Sequence, residues 1–175
     1  MYDKKRIKFL VMDVDGTLTD GKIYMSADGE LMKSFDIKDG CGIKDILPEY
    51  GIIPVIITAR TSKILENRCQ ELGIEQLHQG IRNKKERLDD ILRGQSEIDG
   101  VEYDYQNIAY IGDDVLDLQC MIPVKEADGS VGCPADAVQQ VLAIADFVSS
   151  KNGGNGAVRE FIEWISQFEC GHCYI

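Results

Sequence analysis

The residues best suited to chemistry in this chain begin with two aspartates, Asp13 and Asp15, directly after the apolar run 7–12. If that run is a strand, residues two apart face the same side, so both carboxylates would point into one cavity. Like charges at close range raise each other's pKa unless a cation lies between them, and Mg²⁺ bound by carboxylate and phosphate oxygens meets that need. One aspartate could then attack phosphorus while its neighbour donates a proton to the leaving alkoxide and later takes one from water. An Asp-rich turn after a strand is the alternative, and the pair alone does not decide between the two.

A second acidic cluster, Asp113, Asp114 and Asp117, follows the apolar run 107–112. We expect this run to be a buried parallel strand whose end brings Asp113 to the same cavity as a further metal ligand. Asp114 or Asp117 could orient waters or a nearby lysine around that site. Helix N-termini also favour aspartate, which explains part of the pattern, but two acidic clusters at two strand ends make that the weaker explanation.

Phosphoryl transfer also needs donors for the equatorial oxygens, because positioning and electrostatics supply most of the catalysis. Thr58 ends the apolar run 53–58, and its hydroxyl with the following amides could bind phosphate, although a helix cap is the simpler explanation for a lone Thr. Lys84 lies where a loop enters a helix, and a buried ammonium there would neutralise both Asp13 and the phosphate. The choice of Lys84 among several neighbouring cations rests partly on a family resemblance.

The composition excludes several classes of function. The 175 residues include 30 acidic and 19 basic ones, for a net charge of −11. This chain lacks the surplus of Lys and Arg that binds a nucleic-acid backbone, and it can attract an anionic substrate only where a metal and a few cations reverse the field. No apolar run reaches the roughly 18 residues of a membrane helix, and the six cysteines form no paired framework. We therefore expect a cytoplasmic protein with no nucleic-acid or membrane partner.

Apolar runs that alternate with segments of helical period must position these residues. They predict an α/β fold, a three-layer Rossmann-like parallel sheet with helices on both faces, in a single domain over 1–175. The predicted strands are 7–12, 53–58, 76–79, 107–112 and 145–150. The predicted helices are 38–50, 61–72, 83–93, 115–121, 135–142 and 157–168. The segment 94–106 has no clear period and is predicted to be a surface loop.

Residues 22–36 break this alternation with two β-prone runs around Asp28 and Gly29, which is a hairpin signal. Ligands of open α/β sheets bind beyond the carboxyl ends of the strands, so a hairpin directly after the first strand would overhang the site. We predict a β-hairpin that serves as a lid or a subunit contact.

Four motifs, taken as a set and in order, resemble the signature motifs of the haloacid dehalogenase superfamily: DVDGTLTDG, the Thr after VII, the Lys of GIRNK, and GDDVLD. The hairpin position, the phrase FDIKDGCGIK and the ending GGNGAVRE resemble the capless phosphatases that act on 3-deoxy-D-manno-octulosonate 8-phosphate (KDO 8-phosphate). The resemblance runs from about Ile7 to Ile165, nearly the whole chain.

The resemblance implies a capless fold of that superfamily and Mg²⁺-dependent hydrolysis of a phosphomonoester through an aspartyl-phosphate intermediate. Asp13 would be the nucleophile and Asp15 the acid and base, while Thr58 and Lys84 would hold the phosphate. The metal would lie between Asp13, the backbone carbonyl of Asp15, and Asp113. The resemblance also implies a homotetramer with centrally assembled hairpins and a phosphorylated sugar acid as substrate.

Arg60 resembles the family position that meets the sugar-acid carboxylate, and a guanidinium can bind a carboxylate through two hydrogen bonds. Relatives that act on nine-carbon acids tend to carry an acidic residue there, so Arg60 favours the eight-carbon substrate; an exposed cation on the next helix is the alternative. The chain departs from the family pattern at Ala59, where Gly is usual, and at Leu116, where Asn is usual. The short tail 169–175, with its CGHC sequence, has no family counterpart and is predicted to have no function.

Three alternatives stay open. The first is a phosphatase of nine-carbon, sialic-acid-type 9-phosphates, or a broad small-sugar phosphatase. The second is a phosphorylatable signalling receiver, but receivers place adjacent acids at the first strand and the phosphorylated Asp on a later one. The third is a non-catalytic oligomerisation domain related to the C-terminal domains of acylneuraminate cytidylyltransferases, against which the complete set of motif residues counts.

Overall fold

Strands and helices alternate along the computed structural model, which describes residues 7–169, with side chains up to residue 167. The strands are β1 (Phe9–Met12), β2 (Tyr24–Ser26), β3 (Gly29–Met32), β4 (Ile53–Ile57), β5 (Gln76–His78), β6 (Ile108–Ile111), β7 (Ser130–Cys133) and β8 (Phe147–Val148). The α-helices are α1 (Ile37–Cys41), α2 (Lys63–Leu72), α3 (Lys84–Asp99), α4 (Leu118–Glu126), α5 (Gln139–Leu142) and α6 (Ala157–Glu169). After α1 the chain stays helical, first as a π-helical turn, Gly42–Ile46, and then as a 3-10 turn, Leu47–Tyr50.

The main sheet has six parallel strands in the order β5-β4-β1-β6-β7-β8. Met12 at the end of β1 lies opposite Ile56 of β4 and Ile111 of β6, so the three central strands end at nearly the same level. The chain winds outward from β1 in one direction through β4 and β5, and then in the other through β6, β7 and β8. Such a switch between neighbouring strands opens a crevice at their carboxyl ends, which is where open α/β sheets bind ligands.

The side chains of β1 alternate between two cores, one on each face of the sheet. Phe9 and Val11 pack with residues of α3, α4 and α5, whereas Leu10 and Met12 pack with residues of α2 and α6. All four are buried, because a parallel strand covered on both faces needs apolar side chains at every position. The predicted α/β class with helices on both faces of the sheet is confirmed.

A two-stranded antiparallel sheet, β2 with β3, follows β1 and lies within the range predicted for the hairpin. Ser26 pairs with Gly29, whose φ of 120° suits the left-handed turn that the Asp-Gly step predicts. Met25 and Leu31 are exposed on this hairpin.

The predicted loop 94–106 is wrong over its first half, because α3 continues to Asp99. Gly94 faces open space on the helix surface, and the Ser96 hydroxyl donates to the Leu92 carbonyl at 2.7 Å, so neither residue interrupts the helix. The helix ends at Gly100, which has a φ of 65° and donates its amide to the Ser96 carbonyl.

Several further elements differ from the sequence prediction, among them the helix predicted at 135–142, which is Gln139–Leu142, and the strand predicted at 145–150, which is Phe147–Val148. The strand β7 was not predicted, since its residues SVGC include a glycine and are short of bulky side chains. Gly132 is needed there because a Cβ would lie 2.6 Å from the Phe161 ring of α6. The helix predicted at 115–121 begins only at Leu118, because the Asp117 amide closes a turn onto the Asp114 carbonyl at 2.9 Å.

Across residues 7–169, none of the helices combines the length and the apolar composition that crossing a bilayer requires. The four cysteines in this part of the chain, Cys41, Cys69, Cys120 and Cys133, are free thiols. The predicted tail with Cys170 and Cys173 lies outside the described residues.

Candidate active site

Asp13 is the first residue beyond β1, and its amide donates to the Ile111 carbonyl of β6 at 3.1 Å. This bond extends the sheet by one residue and leaves Asp13 8% exposed at the bottom of the crevice. The chain then turns sharply, since the amides of Thr17 and Thr19 both donate to the Val14 carbonyl. The acidic motif is therefore a strand end followed by a tight turn.

Gly16 allows this turn to touch the second acidic cluster. Its φ is 96°, and a Cβ on it would lie 2.1 Å from Asp113 Oδ2, so no larger residue fits without displacing that carboxylate. The Thr17 hydroxyl donates to Asp113 Oδ1 at 3.0 Å. The ends of β1 and β6 are thus locked together, and they place Asp113 beside Asp13.

Lys84, the first residue of α3, extends its side chain into this cluster. Its ammonium is 2.7 Å from Asp13 Oδ1 and 2.8 Å from Asp117 Oδ1, and the residue is 1% exposed. Burial alone would lower the pKa of Lys84, but the two carboxylates outweigh it and the pKa is raised. The amide of Lys84 donates to Gln119 Oε1 at 2.9 Å, which fixes the start of the helix. Lys84 is therefore a permanent cation under Asp13.

Asp117 uses both of its oxygens to build the site. Besides Lys84, Oδ1 accepts a hydrogen bond from the Tyr110 hydroxyl at 2.8 Å, and Oδ2 accepts from the amides of Asp113 and Asp114 at 3.1 and 3.2 Å. Four hydrogen bonds occupy most of the acceptor capacity of one carboxylate. Asp117 consequently orients Lys84 and the turn after β6. Asp114 is exposed, and its carboxylate accepts from the Val115 amide instead of joining the cluster.

The cluster holds more negative charge than Lys84 balances. Carboxylate oxygens of Asp13, Asp113 and Asp117 lie within 4.8 Å of one another. Burial, reinforced by Asp117, raises the pKa of Asp13 to about 7 although Lys84 opposes the shift. Burial and then Asp13 raise the pKa of Asp113 to about 8.

A divalent cation fits this donor set. It would supply the missing positive charge, and carboxylates are the ligands that Mg²⁺ prefers. Asp13 and Asp113 are the carboxylates with oxygens to spare, because those of Asp117 are already used by four donors.

Thr58 is the first residue beyond β4, at the same edge of the sheet as Asp13, and is 2% exposed. Its amide donates to the His78 carbonyl at 3.0 Å, and its carbonyl accepts from the Ile81 amide at 3.0 Å. These bonds join the end of β4 to the loop that leads into α3, so one structural unit positions both Thr58 and Lys84.

The hairpin contributes two residues that sequence reasoning missed. The Lys33 ammonium hydrogen-bonds to Asp15 Oδ1 and lies 3.1 Å from Glu30 Oε1. Arg60 lies close to both acids, with Nε 3.8 Å from Asp15 Oδ2 and an Nη nitrogen 3.6 Å from Glu30 Oε1. Glu30 also accepts from the Ser62 hydroxyl at the start of α2. The only signal in the sequence was a pair of opposite charges three residues apart in the hairpin.

A glycine loop before α6 packs on the turn after β1. The Gly154 amide donates to the Thr17 carbonyl at 3.0 Å, and a Cβ on Gly153 would lie 1.9 Å from the Gly16 carbonyl oxygen. This close backbone approach accounts for Gly153 and Gly154 of the GGNG sequence, whereas Gly156 has open space around it and a φ of 96° that favours glycine. The turn that carries Asp15 is thereby fixed from outside as well as from within the sheet.

Comparisons with known proteins give related sequences and folds. The 3-deoxy-D-manno-octulosonate 8-phosphate phosphatase KdsC of Escherichia coli strain B / BL21-DE3 is 41% identical over 165 residues, which cover 94% of this chain and 82% of the relative. The crystal structure of 3-deoxy-D-manno-octulosonate 8-phosphate phosphatase from Moraxella catarrhalis, in complex with a magnesium ion, a phosphate ion and a KDO molecule, matches with a TM-score of 0.80 and 37% identity. That match covers 94% of this chain and 88% of the other.

A second solved structure is the cobalt-bound form of the deoxy-D-mannose-octulosonate 8-phosphate phosphatase from Haemophilus influenzae. It matches with a TM-score of 0.81 and 38% identity, over 94% of this chain and 90% of the other. A scan against protein-family models found no match.

Proposed function

The chain belongs to the 3-deoxy-D-manno-octulosonate 8-phosphate phosphatase family of the haloacid dehalogenase superfamily, and on that premise we propose that it hydrolyses KDO 8-phosphate through an aspartyl-phosphate. The observation that carries the proposal is the buried Asp13 carboxylate, held by the Lys84 ammonium at 2.7 Å with Asp113 beside it. A carboxylate that Lys84 orients at the bottom of a crevice, and that a divalent cation would keep ionised, is suited to attack phosphorus.

In the first step, an oxygen of Asp13 bonds to phosphorus and the bond from phosphorus to the sugar oxygen breaks. Asp15, on the same turn and partly exposed, gives its proton to the leaving alkoxide. In the second step, Asp15 takes a proton from water, the water oxygen bonds to phosphorus, and the bond to Asp13 breaks. Asp15 is then protonated again and inorganic phosphate is released.

The remaining residues hold the charge of the transferred group. Lys84 lies beside Asp13 and would bind a phosphoryl oxygen, and the hydroxyl of Thr58 would bind another. Asp13 and Asp113, with the backbone carbonyl of Asp15, would hold Mg²⁺, which supplies positive charge to the phosphoryl oxygens. The magnesium and cobalt in the two related structures support a divalent metal as the cofactor.

Arg60 supports a sugar acid as the substrate. It is 41% exposed at the rim of the crevice and near the Asp15 carboxylate, on the side where the leaving group departs. There a guanidinium can bind the carboxylate of KDO. Nine-carbon 9-phosphates are the second candidate, and they differ from KDO 8-phosphate in the length of the part that lies beyond Asp15.

The exposed apolar residues of the hairpin support a homotetramer. Met25, Leu31 and Met32 on the two-stranded sheet, and Ile23 directly before it, are each at least 45% exposed. Exposed apolar groups of this kind commonly mark protein contacts. Sedimentation equilibrium of the chain should give the tetramer mass, and a monomer at micromolar concentration would contradict this assignment.

Phosphate release from KDO 8-phosphate and from a nine-carbon 9-phosphate, with Mg²⁺ and with EDTA, tests the function. We expect activity with Mg²⁺, higher kcat/KM for KDO 8-phosphate, and loss of activity in EDTA. Asp13→Asn should reduce kcat by at least about 1,000-fold because the nucleophile is gone. Asp114→Asn is the matched control, since Asp114 is an exposed aspartate outside the cluster, and it should remain within a few-fold of the wild type. Activity that persists in Asp13→Asn would refute the mechanism.

A further inference from the structure

The hairpin reaches the active site of its own chain through Lys33. This residue directly follows β3 of the small surface sheet, yet its side chain is only 3% exposed. Its ammonium hydrogen-bonds to Asp15 Oδ1, which lies 18 residues earlier in the chain. A lysine gives up hydration and rotamer freedom when it is buried, so such a placement requires fixed anionic partners.

Glu30 holds Lys33 in this position. Its Oε1 is 3.1 Å from the Lys33 ammonium and 3.6 Å from Arg60, while its Oε2 accepts from the Ser62 hydroxyl. Ser62 also caps α2, since its side chain accepts from the Leu65 amide. The hairpin is therefore bound through Glu30 to the start of α2, and this contact holds the Lys33 side chain in position beside Asp15.

We propose that Lys33 is a positioning residue that orients the carboxylate of Asp15 toward the leaving oxygen of the substrate. The inference rests on the proposed function, because it assigns Lys33 to the proton transfer that Asp15 performs. Asp15 lies in the tight turn after β1 and is not buried in the cluster around Lys84, so its side chain needs a partner to keep one rotamer. Lys33 fixes one oxygen through Oδ1, and the other oxygen, Oδ2, stays available on the side of Arg60.

A residue that only stabilised the hairpin would affect every substrate alike, whereas a residue that orients a general acid affects substrates according to their leaving group. The alkoxide of a sugar phosphate is a poor leaving group and depends on the proton from Asp15. The p-nitrophenolate ion leaves readily without a proton. The parameter kcat/KM reports transfer to Asp13 and not the later hydrolysis of the aspartyl-phosphate.

The experiment compares kcat/KM for KDO 8-phosphate and p-nitrophenyl phosphate, with Mg²⁺, in wild type, Lys33→Gln, Lys33→Arg and Asp15→Asn. Lys33→Gln should lose about 30-fold or more on the sugar phosphate and much less on the aryl phosphate, as general acid catalysis is commonly worth 100-fold or more. Lys33→Arg should recover part of that loss because it keeps the charge. Lys22→Gln, an exposed lysine before the hairpin, is the matched control and should behave as wild type on both substrates.

Equal losses of Lys33→Gln on both substrates, or no loss on either, would overturn the inference. If Lys33→Gln does not fold, Glu30→Gln replaces it, because this variant keeps Lys33 but weakens the ion pair that holds its ammonium. It should show the same dependence on the leaving group. Should Asp15→Asn show that dependence while the Lys33 and Glu30 variants do not, this inference alone is rejected. Activity that persists in Asp13→Asn would instead reject the proposed function.

Discussion

Replacing Lys84 with methionine keeps a side chain of similar length but removes the ammonium between Asp13 and Asp117. The side chains of Lys84 and Asp117 are 2% and 1% exposed, so water cannot take over the lost hydrogen bonds of 2.7 and 2.8 Å. Breaking a buried ion pair on one side costs about 3–5 kcal/mol, and two hydrogen bonds to charged groups at about 1.5–3 kcal/mol each give a similar sum. We expect Lys84→Met to lower the free energy of unfolding by about 4 kcal/mol at pH 8 without metal.

Urea unfolding in EDTA, followed by circular dichroism at pH 8 and pH 6, measures this cost. Without Lys84 the pKa values of the buried carboxylates rise further, so the folded variant takes up protons and its deficit should be smaller at pH 6 than at pH 8. Lys85→Met is the matched control, because Lys85 is half-exposed and pairs with Asp89 at the surface, and it should not change stability measurably. A deficit for Lys84→Met below about 1 kcal/mol, or equal to that of Lys85→Met, would refute the idea that the ammonium stabilises the buried carboxylates.

Two further variants test the turn after β1 and a buried carboxylate elsewhere. Gly16→Ala combines a strained φ with a clash against Asp113, so it should lose both stability and phosphate release. Its control is Gly73→Ala, because Gly73 has a φ of 72° but open space around it; this variant should lose only about 1 kcal/mol of stability and stay active. Equal activity of the two variants would contradict the close approach. Burial raises the pKa of Asp39 to about 6, although its carboxylate accepts a hydrogen bond from the Arg159 amide. Ionisation of Asp39 therefore lowers the free energy of unfolding by about 3 kcal/mol above pH 6, and this cost disappears below about pH 4, where the carboxyl is protonated in both the folded and the unfolded chain. Asp39→Asn should therefore be more stable than wild type in urea unfolding at pH 7.5, and about half of that gain in stability should be gone at pH 5. A variant that is less stable than wild type at both pH values would show that the N-terminus of α6 needs the charge of Asp39.

The strands around the site could be predicted because each central one is an apolar run that ends in a polar residue of a motif. The ends of β1, β4 and β6 were predicted to within two residues in this way. The predicted resemblance to the KDO 8-phosphate phosphatases is confirmed by a relative that is 41% identical over 94% of this chain. Local pattern and motif order were therefore enough for the fold class and the family.

The contacts that shape the site depend on tertiary structure and could not be read from local pattern. Tyr110 looks like an ordinary core residue of β6, and only the packed structure shows its hydroxyl on Asp117. Lys33 looks like a surface lysine of a hairpin, because no periodicity reveals that the hairpin folds back onto Asp15. The end of α3 was missed for a local reason, because a glycine usually weakens a helix. Gly94 is nevertheless tolerated within α3, where it faces open space.

During synthesis, the turn with Asp15 leaves the ribosome long before the glycines at 153 and 154 that pack on it. The helix after those glycines supplies Phe161, which covers Gly132 of β7 and closes one face of the sheet. Until that helix has emerged, the nascent chain exposes one apolar face of the sheet, and the turn after β1 lacks its contact with the glycine loop. Exposed apolar surface of this kind binds chaperones and promotes aggregation. The chain should therefore become a catalyst only after α6 has folded onto the sheet, so ribosome-bound chains that stop before residue 150 should release no phosphate.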